Sequence, residues 1–147
     1  MLPELDTAEV EPSQLNAIQR SLVAETWQFR AYAERLASMR FERLAGTLRL
    51  HGTSEGLVTL AESSVQDEAR HAALCDALVA RYTEGDISTS YTLPAPPPLA
   101  PPGLDATQRL CFEMMAFCCL TESINAAMLM VVLKATREPR ISATLRT

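Results

Sequence analysis

Apolar residues recur at spacings of three and four along most of this chain, the repeat of helices that bury one face. Between Ser13 and Leu50 the only Gly or Pro is Gly46, which predicts one long helix with Ser13 as its cap. His51, Gly52, Thr53 and Ser54 break the pattern; Gly52 suits a left-handed C-terminal cap, and Thr53 or Ser54 suits the next N-cap. A second helix is predicted from about Glu55 to about Thr83, ending near Gly85, and a third from about Asp105 to Thr136. Glu138-Pro139 opens a fourth, with Pro at its first position, of which only a stub follows.

Between the second and third helices lies a segment, 93–103, with six prolines (Pro94, Pro96, Pro97, Pro98, Pro101, Pro102) that forbid helix and favour polyproline II. It has the composition of an SH3 or WW ligand. The preferred reading is a crossover, because an extended chain at ~3.1 Å per residue can run the length of a helix and let helices two and three lie parallel. The expected organisation is therefore an acidic tail at 1–12 and one all-α domain at 13–147, with three full helices and the stub of a fourth.

Composition narrows the function classes. The chain has 147 residues, 48% of them hydrophobic and 21% charged, which suits one folded domain, and 5% aromatic content with five Gly argues against a β-sandwich or barrel. Thirteen Lys and Arg against eighteen Asp and Glu, with no basic stripe, make nucleic acid a poor partner. No charged n-region and apolar h-region opens the chain, so the expected location is cytoplasmic. Cys75, Cys111, Cys118 and Cys119 form no C-x-x-C pair and read as small core residues. Leu110 to Leu133 is long and apolar enough for a membrane span, yet Glu113, Glu122 and Asn125 interrupt it, so a buried helix of a bundle with no membrane partner is expected.

The apolar stripes carry carboxylates. Helix one reads Trp27, Ala31, Glu34, Ala37, Phe41, Leu44, Leu48; helix two reads Leu57, Ala61, Ser64, Glu68, His71, Cys75, Leu78, Tyr82. Helix three reads Cys111, Met115, Cys118, Glu122, Asn125, Leu129, Val132. A buried, unpaired carboxylate costs several kcal/mol, and few Arg or Lys residues share those faces, so a metal cation is the expected counter-charge. Glu34 and His71 lie equally far from the centre of the 51–54 break, which puts them level in an antiparallel hairpin. Glu122 lies about as far into helix three as Glu68 and His71 lie from the turn, and so can join them. Oxygen donors from three helices with an i, i+3 imidazole are the donor set of di-iron and di-manganese sites. Glu62 and Asp67 lie off that face and read as surface charge.

Glu34, then Glu68-Ala69-Arg70-His71, then the long crossover and Glu122 resemble the ferritin-like superfamily of di-iron carboxylate proteins, from about Leu22 onward. The resemblance implies an antiparallel ferritin-like bundle holding two iron ions, with manganese as the alternative. Glu68 would bridge, His71 would bind one ion, and Glu34 and Glu122 would be terminal ligands or one of them a second bridge. It also implies dioxygen or peroxide as co-substrate, in a di-iron oxidase, oxygenase, peroxidase or iron-handling protein. The departure is in helix four: many relatives carry a second Glu-x-x-His there, and no Glu, Asp or His follows Glu138. That pair would fall shortly beyond Thr147, so truncation, completion by a second copy in a homo-dimer, and loss of two-metal chemistry all remain open. The competing class is a non-catalytic helical scaffold or interaction protein with a degenerate metal site.

Overall fold

The computed structural model describes residues 11–83 and 93–146, and all regular structure among them is helical. Most of the acidic tail, and Gly85, lie outside the described residues, while the second helix ends at Tyr82, within one residue of the expected Thr83. A short 3-10 turn, Pro12–Gln14, precedes α1, Ala17–Leu50. Asn16 rather than Ser13 caps α1: its side chain accepts from the Gln19 amide at 2.9 Å, and the Gln19 side chain accepts from the Asn16 amide at 3.0 Å. Asn16 has a Gln three residues on to return the bond, and Ser13 has no such partner. Gly52 then takes the left-handed conformation, φ 62°, at the turn into α2, Glu55–Tyr82, for which Ser54 is the N-cap.

The hairpin is antiparallel, as Arg35–Asp76 and Arg49–Glu62 ion pairs and a Ser38 hydroxyl donating to the Val65 carbonyl (3.2 Å) show. Two apolar clusters form its core. One joins Trp27 and Ala31 to Cys75, Leu78, Val79 and Tyr82; the other joins Ala45 and Leu48 to Val58, Ala61 and Leu110. Val58 takes the buried place expected of Leu57, which is largely exposed. Arg81 ties the ends down, pairing with Glu11 at 2.6 Å and with buried Glu138 at 3.4 Å. Glu138 in turn caps α5, Pro139–Thr144, whose first residue is the expected Pro.

The prolines lie along α1 towards its C-terminal end. Prolines leave their carbonyls without helix or sheet partners, and these accept from α1: Arg40 donates to Pro97 O at 3.0 Å and Arg43 to Pro96 O at 2.8 Å. Glu113 closes the clamp, accepting from the Leu99 and Ala100 amides at 2.6 and 3.0 Å. The chain then starts α3, Ala106–Glu113, with Asp105 as the expected cap. It continues without a break through a π-helical segment, Met114–Thr121, into α4, Glu122–Ala135. Along this rod Glu113 meets Arg43, Phe117 meets Phe41 (ring centroids 4.7 Å apart) and Asn125 meets Arg30. The rod advances as α1 recedes, so it runs parallel to α2, the topology for which a long crossover is required.

The π segment changes which residues of the rod face inward. Its i to i+5 winding inserts one residue, so the inner face runs Leu110, Met114, Phe117 and then Glu122 and Asn125. The stripe read with regular helical spacing is therefore wrong in its first half: Cys111 and Met115 are exposed. Of the cysteines only Cys75 is buried; Cys118 is half-buried and Cys111 and Cys119 are exposed. The expected burial of this helix also fails, because its neighbours among the described residues touch it along one stripe. No residue of α4 is buried, and Ile124, Met128 and Val131 are each more than 60% exposed. Ala106–Ala135 is long and apolar enough to cross a membrane, and only 6% of its most apolar window is buried.

The clamp should be measurable. Arg43→Ala removes bonds to Pro96 and Glu113 and should lower unfolding stability by about 1–3 kcal/mol, as a charge-assisted pair does. Arg49→Ala, which removes an exposed pair with Glu62, should cost less than about 1 kcal/mol. Urea midpoints of the two variants check the order.

Candidate metal centre

The carboxylates sit between the two apolar clusters. Glu34 lies between Ala31 and Phe41 on α1, Glu68 and His71 between Ala61 and Cys75 on α2, and the short α1–α2 turn fixes their level. Glu34 and Glu68 are buried, at 6% and 9% exposure, and His71 is half-buried. One donor atom from each of Glu34, Glu68 and His71 lies within 4.8 Å of the other two. His71 Nδ1 is 3.4 Å from Glu68 Oε2. Glu122 enters the same cavity from the opposite rod, with Trp27, Leu74 and Leu129 as apolar walls and Thr144 and Leu145 of the C-terminal segment at one side. The cavity holds about 170 Å³. All four residues singled out in the sequence thus line one space.

Two further side chains belong to it. Arg30 lies one turn before Glu34, forms an ion pair with it, and donates to Asn125 Oδ1 at 2.5 Å. Asn125, one turn after Glu122, also favours the charged form of that carboxylate. The expectation that few basic residues share these faces is corrected here: Arg30 follows the i, i+4 spacing onto Glu34, a signal present in the sequence. A metal is therefore not the sole source of positive charge. One guanidinium does not balance three carboxylates, however, and Arg30 Nε is buried with no hydrogen-bond partner among the described residues.

Protonation takes up part of the remainder. Burial, followed by a hydrogen bond from Glu68 to Glu34 and the charges of Glu34 and Glu122, pushes the Glu68 carboxyl up to about 8, against some opposition from Arg30. Burial and the Glu34 charge raise Glu122 too, while Arg30 and Asn125 hold it back. Without a metal, a proton on Glu68 and the Arg30 charge hold the three carboxylates together. Glu62 and Asp67 pair with Arg49 and Arg70 on the surface, away from the cavity.

No family model, curated protein or solved structure matches the chain.

The proton has a thermodynamic consequence. The folded chain keeps it on Glu68 up to about pH 8, and the unfolded chain releases it near pH 4.5. Between those values the folded state binds the extra proton, so stability falls as pH rises from about 5 to about 8. Glu122 adds in the same direction. Denaturant midpoints of the metal-free protein should decline across that range, and Glu68→Gln, which keeps the hydrogen bond without the charge, should flatten the decline. A level or rising wild-type profile would contradict the shared proton.

Proposed function

We propose that the chain is a ferritin-like metal-binding protein, an iron-handling protein or di-iron oxidoreductase, whose centre is built from Glu34, Glu68, His71 and Glu122. The observation that carries this reading is the convergence of Glu34, Glu68 and His71 donor atoms from two facing helices within 4.8 Å, with no solvent-exposed carboxylate among them. The donor chemistry fits: carboxylate oxygens and one imidazole suit iron or manganese and are a poor set for soft, thiolate-seeking ions. Glu68, hydrogen-bonded to Glu34 and within the field of Glu122, would hold the metal together with those two carboxylates. Bound iron would supply redox chemistry with dioxygen or peroxide.

The residues of the chain have separable tasks. Glu68 must give up its proton for binding, so uptake releases protons and strengthens with pH up to about 8. Arg30 is the resident counter-charge of Glu34 and must yield that carboxylate or share it. Trp27, Leu74 and Leu129 give the centre apolar walls, which strengthen the charge interactions beside them.

The second reading is an interaction protein, favoured by the exposed apolar face of α4, whose partner would be a second copy of this chain. One sample separates the two. Anaerobic titration with Fe²⁺ or Co²⁺, followed by calorimetry and absorption, should saturate at one or two ions per chain. Glu68→Ala and His71→Ala should weaken binding about tenfold or more, with helicity kept. Binding that these variants leave intact would remove the metal reading. Light scattering of the same protein tests the other, since a strict monomer with and without metal would remove the dimer.

A further inference from the structure

A larger cleft, of about 480 Å³, opens between the second half of α1 and α3, under the proline crossover, and shares no lining residue with the candidate metal centre. Its volume is that of a small-molecule site, roughly 300–1,000 Å³. Leu44, Leu110 and Phe117 make its floor, and three guanidiniums, Arg40, Arg43 and Arg109, stand around it. This is a concentration of positive charge in a chain whose net charge is -5.

The two carboxylates at the cleft are already committed. Asp105 caps α3, accepting from the Gln108 amide at 2.8 Å, and Glu113 accepts from two crossover amides and from Arg43. Arg40 donates to Pro97 O and Arg109 to Leu104 O at 3.1 Å, each a neutral carbonyl. Among the described residues, neither has a carboxylate within ion-pair distance. Arg40 also stands over the Phe117 ring, with Cζ 6.0 Å from its centroid, so a cation with no carboxylate in direct contact adjoins the apolar floor. Burial and the neighbouring Arg43 charge lower the Arg40 pKa, and the more distant Glu113 charge offsets this only in part.

The geometry points to a binding site for a small amphipathic organic anion. Its carboxylate or phosphate head is met by Arg40 and Arg109, and its apolar body lies on Leu44, Leu110 and Phe117. Arginine forks suit either head, and the apolar floor excludes ions that lack a hydrophobic body.

Calorimetry of the metal-free full-length chain tests this with decanoate and octyl phosphate below their micelle concentrations, beside decanol and acetate. One or both anionic amphiphiles should bind saturably at one site per chain, more weakly as salt rises, while decanol and acetate should not. Arg40→Gln and Arg109→Gln should each weaken binding roughly tenfold, the loss of one charge-assisted bond. Arg109 is exposed and, among the described residues, its side chain is tied to a nearby carbonyl alone, so Arg109→Gln keeps the fold and answers by itself if Arg40→Gln loosens the crossover. Met128→Gln and Val131→Gln, on the exposed face of α4, should leave binding unchanged. Decanol binding as well as decanoate, full affinity in Arg109→Gln, or loss in the α4 variants would overturn the assignment.

Discussion

Carboxylates placed inside a helical hairpin have to be compensated, and the middle of this protein is organised around how that is done. Glu34 and Glu68 interrupt the core and divide it into two apolar clusters. Arg30 brings one positive charge and Glu68 retains a proton. Both devices are ones a divalent cation would replace. The proton can leave as pH rises, and Arg30 already holds a second partner, Asn125, which it would keep if a cation took up Glu34. Held this way, the donor atoms of Glu34, Glu68 and His71 stay converged. Removing one compensating group alone would leave a buried charge exposed to its neighbours, an expense of several kcal/mol.

Much of this was legible in the residues. The 51–54 break, with Gly52, fixed the level at which Glu34 faces Glu68 and His71, and the prolines of 93–103 announced the crossover that makes α2 and the third rod parallel. What periodicity could not show was the π-helical turn at Met114–Thr121. A stripe read at constant spacing is displaced by one residue across such a turn, so it puts Cys111, Met115 and Cys118 where Leu110, Met114 and Phe117 stand. Glu122 and Asn125 escaped the error because they lie after the turn, where the regular spacing resumes. Arg30 was visible at i, i+4 from Glu34, but long basic side chains reach in from the edge of a face, and stripe positions alone undercount them.

The third rod carries the remaining tension. One stripe of it meets α1 and the cavity, and the rest of its apolar surface faces outward. The clamp of Arg40, Arg43 and Glu113 on the crossover fixes the start of the rod, and the π turn directs Glu122 inward, so the position of this ligand candidate depends on contacts far from the cavity itself. The same clamp shapes the arginine-lined cleft, and the two sites therefore share a scaffold without sharing residues.

The most direct test of the metal reading is an anomalous difference map, collected across the iron edge, from crystals of the protein grown anaerobically with ferrous iron. Peaks among Glu34, Glu68, His71 and Glu122, with the Arg30–Glu34 pair broken and Arg30 held by Asn125 alone, are the expected result. No peak, with Arg30 still paired to Glu34 and Glu68 still hydrogen-bonded to it, would show that the arginine and the proton are the permanent compensation and that the chain's function lies elsewhere.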